Sequence, residues 1–246
     1  MSGTVFCKNV RHSVEKKQQN YRLLEDFVAN VSHELRTPLT VFHGYLEILL
    51  DQPKISPKKL KEILQQMIEQ SNRMSFLVRD LLLLSRLESA SPDVSQYKPV
   101  AVAELLRAIC EDAKALSGEQ KHDIHLEADE NLFLQGKEEE LHSAFSNLIF
   151  NAVTYTPDKG KIWVRWFLDK STPTLVVKDT GIGIAKKHLP RITQRFYRVD
   201  KSRLHRGEHG TGLGLAIAKH VLLRHRGKLI IESQLNKGST FRCVFS

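Results

Sequence analysis

From Leu24 onward, the apolar positions Val28, Val31, Leu35, Phe42, Leu46 and Leu49 recur at helical spacing, with Pro38 on the same track. After Asp51-Gln52-Pro53 a second stripe runs through Leu60, Leu64, Met67, Ser71, Met74, Val78 and Leu81. Its steps alternate four and three, the heptad seam of a coiled coil or bundle. The two stripes predict a helical hairpin turning at 51–57. Ile63, Ile68, Leu77, Leu82 and Leu84 widen the second stripe beyond what one partner helix can cover. A lone hairpin would leave that surface wet, whereas two hairpins packed as a dimeric four-helix bundle would bury it. A homodimer is expected.

Pro92 and Pro99 bracket a short polar hinge, after which the periodicity changes. Val102, Leu105, Leu106 and Ile109 share a face of a helix over 101–116. Strands fit 121–128 and 131–135, a helix 137–155, strands 161–168 and 173–179, a helix 213–226, and strands 228–234 and 239–245. Between them, 184–210 is polar, irregular and too long for an ordinary connection, so it reads as a functional loop. Mixed strands and helices without strict alternation predict an α+β chain: a helical domain over 1–92, then a layered α/β sandwich over 97–246 with its helices on one face of a sheet.

Composition narrows the class. The 246 residues are 41% hydrophobic and 26% charged, an ordinary globular balance. No apolar run is long enough to span a bilayer, and the first residues lack the apolar stretch of a signal peptide. Cys7, Cys110 and Cys243 are odd in number and scattered, which suits a reducing compartment and excludes a zinc ribbon. The net charge of +9 is densest at Arg191, Arg195, Arg198, Lys201, Arg203 and Arg206, close to glycines rather than on one helix beside aromatics. That argues against direct nucleic-acid binding; a phosphate-bearing ligand, an acidic partner or an anionic membrane would suit it.

Candidate chemistry begins at Ser32-His33-Glu34-Leu35-Arg36-Thr37-Pro38-Leu39. His33 lies two residues from both Val31 and Leu35 of the stripe, about 200° around a helix, and so points to solvent. Glu34 could hold the imidazole in one neutral tautomer, and Pro38 should bend the helix one turn further on. Alone, an exposed histidine is usually an inert surface residue. Three other stretches change that reading. Asn147 and Asn151 stand at i and i+4 on one helix face, oxygen ligands suited to a magnesium ion already carrying nucleotide phosphates. Asp179-Thr180-Gly181-Ile182-Gly183 ends a strand with a carboxylate that could accept a hydrogen bond from an adenine amino group, followed by glycines that allow close approach. Gly210-Thr211-Gly212-Leu213-Gly214-Leu215 opens a helix whose amides and dipole can hold phosphate. Leu215 breaks a dinucleotide fingerprint, and no GK[ST] triplet marks a P-loop.

In this order the motifs resemble those of histidine kinases of bacterial two-component systems over nearly the whole chain: an H box at 32–39, an N box at 147–157, glycine boxes at 179–183 and 210–215, and an F box in Arg195-Phe196-Tyr197-Arg198. Phe27-Val28-Ala29-Asn30-Val31-Ser32-His33, Val41-Phe42-His43-Gly44-Tyr45-Leu46-Glu47 and the segment 190–201 are most similar to phosphate-regulon sensor kinases. The resemblance implies a dimerisation and phosphotransfer hairpin followed by a Bergerat-type ATP-binding domain, with 184–210 as a mobile lid. It implies His33 as phosphoacceptor, Glu34 as its activating carboxylate, and Thr37 as the residue that positions water for dephosphorylating a response regulator. ATP and Mg²⁺ would be held by Asn147, Asn151 (the metal ligand), Tyr155, Asp179, Gly181, Gly183, Tyr197, Arg198, Gly210, Thr211, Gly212, Leu213 and Gly214. It also implies a cytoplasmic portion of a bacterial inner-membrane protein, tethered through N-terminal segments outside this chain. Thr154 replaces the usual basic residue or histidine, and Gln194 the usual Glu. These departures keep a degenerate kinase acting as a scaffold in view; another Bergerat-fold ATPase or chaperone would not need the His33–Glu34 pair.

Overall fold

The computed structural model describes residues 2–51, 54–89, 91–199 and 211–246, with side chains from Glu25 onward, Asp26 apart. Two compact units divide at Leu77/Val78, inside the second helix.

The first unit is a pair of helices. α1 (Ser2–Asp51) runs through Pro38 without interruption. α2 (Pro57–Ser89) starts with proline in the first turn, where no intrahelical N–H is needed, and Ser56 Oγ accepts the amide of Lys59 at 3.3 Å. Glu34 on α1 and Arg73 on α2 form an ion pair at 3.6 Å. On α2 the buried face of this unit is Ile63, Met67, Gln70 and Leu77. Of the expected seam, Met67 is buried within the single chain, Met74 and Leu81 are part-buried, and Leu60, Leu64, Ser71 and Val78 are exposed. The stripe is wide enough to contain two heptad seams, and within the single chain the one through Ile63 is covered.

The second unit includes the last turns of α2. Where a hinge was expected, Val94–Gln96 forms a 3₁₀ turn capped by Asp93, and β1 (Lys98–Ala101) pairs antiparallel with β3 (Phe133–Gly136). Proline and a length of four residues hid β1 from the sequence pattern. Tyr97 fastens this segment, its ring stacked on His225 at 4.8 Å and its hydroxyl donating to Arg224 O at 3.0 Å.

Then follow α3 (Val102–Ser117), β2 (Asp123–Ala128), β3, α4 (Glu138–Tyr155), β4 (Lys161–Asp169), β5 (Thr172–Asp179), α5 (Gly214–Arg224), β6 (Gly227–Gln234) and β7 (Gly238–Phe245). The larger sheet has the order β2-β4-β5-β7-β6, parallel between β2 and β4 and antiparallel elsewhere. Its strands alternate: Ile162, Val164, Trp166, Leu175, Val177, Phe241, Cys243 and Phe245 are buried, while Arg165 and Lys178 face water. The apolar faces of α3, α4 and α5 complete the core, with Trp166 and Phe145 each edge-on to Phe245. The buried thiols are inert: burial raises Cys110 to about 11 and Cys243 further. Among the described residues no helix is long and apolar enough to cross a membrane.

Candidate functional site

The C-terminal half of α4, the end of β5 and the start of α5 bring together residues far apart in the chain. Asn147 Nδ2 donates to Ser143 O at 2.8 Å, which turns Oδ1 toward Gly214 so closely that any side chain there would collide with it. The first turn of α5 is thereby seated against α4. Asn151, one turn on, is half-buried, and Tyr155 at the helix end is exposed. The carbonyl of Tyr155 accepts the amide of Ile182 at 3.1 Å, and a Cβ at Gly181 would strike that carbonyl.

Asp179 is 5% exposed. Its Oδ1 accepts the amides of Gly181 at 2.8 Å and Ser239 at 3.1 Å. Burial raises its carboxyl above the usual range, and the two amides oppose that shift. Gly183 (φ 64°) and Gly238 (φ 108°) take left-handed backbone and pack against Gln234 O and Asp179 O, where a Cβ has no room.

Beyond β5 the chain makes tight turns. Phe196 is left-handed (φ 58°), and its amide donates to Gly212 O at 2.9 Å. Gly212 is itself left-handed (φ 72°). Thr211 Oγ1 accepts the amide of Leu213 at 3.2 Å, and Leu213 is fully buried. Tyr197 shares a hydrogen bond with His188 Nδ1 at 2.7 Å, and the Arg191 guanidinium lies 4.4 Å from its ring centre. Arg198 is half-buried. Gly210, and with it Lys201, Arg203, Arg206 and the last part of the expected lid, lie outside the described residues.

In the helical unit His33 is exposed, as its position demanded. Glu34 points elsewhere, toward Arg73, since adjacent residues on a helix do not face each other. Thr37 Oγ1 donates to His33 O at 3.3 Å.

Sequence reasoning missed two groups. Ser239 supports Asp179 through its backbone, for which the only signal was the glycine before it in Gly238-Ser239-Thr240. Asp80 and Glu88, on the last turns of α2, contact Thr211 and Arg195; on a helix stripe they read as ordinary solvated charges.

The residue chemistry fits a nucleotide: a buried carboxylate fixed by two amides, glycines where backbone must come close, carboxamides on a helix, and the N-terminus of an 11-residue helix. Comparison with known proteins agrees. Residues 23–90 match the His Kinase A (phospho-acceptor) domain, and residues 136–246 match the histidine kinase-, DNA gyrase B- and HSP90-like ATPase family. The chain belongs to the histidine kinases. It is 56% identical over 234 residues to the phosphate regulon sensor protein PhoR of Pseudomonas aeruginosa, covering 95% of this chain and 52% of that protein. With PhoR of Haemophilus influenzae it shares 39% identity over 89% of this chain and 51% of the relative. It thus spans about half the length of these curated relatives. Among solved structures, full-length ShkA in complex with AMPPNP superposes with a TM-score of 0.65 at 25% identity, over 89% of this chain and 45% of that one.

Proposed function

We propose that this chain is the kinase part of a dimeric phosphate-regulon sensor that uses Mg-ATP to phosphorylate His33 and passes the phosphoryl group to an aspartate of a response regulator. The observation that carries this reading is Asp179, buried and held by the amides of Gly181 and Ser239. Glycines at 181, 183 and 212 let the backbone pack tightly against Tyr155 O, Gln234 O and Phe196 Cα, which holds the segments around Asp179 in place. The names of the relatives support phosphate signalling, and the AMPPNP bound by ShkA supports ATP as the phosphoryl donor.

In this assignment Asp179 accepts the adenine amino group, with Gly181, Gly183, Tyr155, Tyr197 and Arg198 around it. Asn147 supports the phosphates and Asn151 ligates magnesium, which neutralises phosphate charge when bound. The amides at 210–214 bind phosphate oxygens. Neutral His33 attacks the γ-phosphorus in line: a P–N bond forms, the bond to the β-phosphate oxygen breaks, and ADP leaves. Glu34 is assigned as the carboxylate that activates His33, which requires it to leave its ion pair with Arg73, and Thr37 orients water for hydrolysis of the phosphorylated regulator. The working parts are the helical domain over 1–92 and the catalytic domain over 97–246.

Homodimerisation is supported by the apolar surface left on α2 at Leu60, Leu64, Ile68, Val78 and Leu82, all exposed in the single chain. The membrane tether and sensory parts of the protein belong outside this chain, which acts on the cytoplasmic side.

Incubation with labelled ATP and Mg²⁺ followed by acid treatment tests the reading. Acid-labile, base-stable label that disappears in His33→Ala is the expected result. Phosphate release without label would make the chain an ATPase; neither label nor release would make it a scaffold.

A further inference from the structure

The last turns of α2 face the catalytic unit with acid. Thr211 Oγ1 donates to Asp80 Oδ2 at 3.2 Å while accepting the amide of Leu213. Eight residues on, two helical turns along the same face, Glu88 binds the guanidinium of Arg195, and His220 Nε2 lies 3.3 Å from the same carboxylate oxygen. These contacts surround one junction. Phe196, next to Arg195, donates its amide to the carbonyl of Gly212, next to Thr211. Asp80 thus sits at the approach to α5 through Thr211, and Glu88 lies further along it, on His220 and on Arg195 of the loop that meets Gly212.

We propose that Asp80 and Glu88 form an internal acidic latch that competes with the phosphates of ATP for Thr211 and Arg195, so that nucleotide binding and release of the end of α2 are coupled. The inference rests on the assignment of 211–214 to the phosphates. Its physical basis is like-charge exclusion. A triphosphate brought to the N-terminus of α5 raises the cost of ionised carboxylates in the same place, and it offers Arg195 a more highly charged partner than one glutamate. Asp80 is half-buried, and desolvation already raises its carboxyl. Phosphate arriving at Thr211 and Arg195 therefore opposes both carboxylate contacts. By linkage the effect is reciprocal: whatever pulls the end of α2 away raises ATP affinity by the same factor as ATP loosens the helix.

The latch predicts a difference between ligands. Adenosine reaches the Asp179 pocket but not the latch, whereas Mg-ATP meets both. Calorimetric titration of the whole chain, as wild type, Asp80→Ala and Glu88→Gln, measures it. Each variant should bind Mg-ATP about three- to ten-fold more tightly, with adenosine affinity within about two-fold of wild type. Peptides from 78–89 should exchange amide hydrogen faster in wild type with Mg-ATP than with adenosine. Alanine is compatible with the interior of α2. A thermal scan checks the fold, and should Asp80→Ala be unstable, Glu88→Gln decides alone because it acts on different partners. Unchanged ATP affinity in folded variants overturns the latch, as does equal tightening of ATP and adenosine. Failure of every form, wild type included, to bind either ligand would instead overturn the nucleotide reading, and the latch with it.

Discussion

Asp179 and Ser239 stand 60 positions apart in the chain, yet the amide of Ser239 donates to the Asp179 carboxylate at 3.1 Å. The bond exists because β5 and β7 are antiparallel neighbours in the sheet, so that the end of β5 meets the start of β7. It holds one oxygen of a carboxylate whose burial is costly.

Asp179→Asn should therefore separate binding from folding. The amide keeps the shape and an acceptor for Gly181 and Ser239 but loses the charge-assisted bond to adenine, on the order of 1.5–3 kcal/mol. ATP affinity should fall about ten-fold or more, while the melting midpoint at neutral pH holds or rises, because an ionised buried carboxylate has been removed. A raised folded-state pKa means that ionisation of Asp179 costs stability as pH rises from the unfolded value through the folded one. Loss of stability with undiminished ATP binding would reverse the assignment.

His33→Ala should abolish the acid-labile label and leave ATP affinity within a few-fold, since the side chain is exposed on α1 and alanine suits a helix. Thr37→Ala should spare the label and remove phosphatase activity toward the phosphorylated regulator. The Thr37 hydroxyl donates only to His33 O, a bond the helix does not need. Equal loss of both activities in Thr37→Ala would make it a structural residue.

Two glycine-to-alanine changes should act with opposite sign. At Gly212 the backbone is left-handed (φ 72°), and a Cβ would lie 2.8 Å from Phe196 Cα. Strain of about 1–2 kcal/mol plus that collision should reduce ATP affinity by about ten-fold or more. At Gly44, inside α1, a Cβ meets nothing within 4 Å. Gly44→Ala should raise helix stability by up to about 1 kcal/mol. Thermal scans and ATP titrations of both variants check the pair; a stabilising Gly212→Ala would refute the strained geometry.

His225 should make stability depend on pH near neutrality. Val221 O lies 2.8 Å from its Nδ1, and Nε2 accepts the amide of Lys137 at 3.1 Å, so the ring is neutral with its proton on Nδ1. Burial lowers its pKa, outweighing the Val221 bond and the Glu140 carboxylate 4.0 Å away, with Arg224 and Lys137 adding to the depression. A depressed histidine leaves the unfolded state with more protons below the ordinary value near 6.5. Stability is therefore full above that pH and falls below it, by up to about 1.4 kcal/mol per pH unit. Denaturant melts from pH 7.5 to 5 should show a slope in wild type exceeding that in His225→Phe; parallel curves would mean that His225 titrates normally.

Periodicity alone was sufficient for the hairpin helices, for α3 to α5, and for the strands of the larger sheet, because each buries one face and writes that face into the chain at period 3.6 or 2. The solvent position of His33 and the glycine-rich start of α5 were legible for the same local reason. What only the tertiary structure decided are matters of pairing. The covering of the Ile63 seam within the chain, the strand β1 with its proline, and the turning of Glu34 to Arg73 each depend on a neighbour distant in sequence. So do the support of Asp179 by Ser239 and the contacts of Asp80 and Glu88 with Thr211 and Arg195. A local pattern records how wet a residue's face is; it does not record which partner removes the water, and at this site the partners set the chemistry.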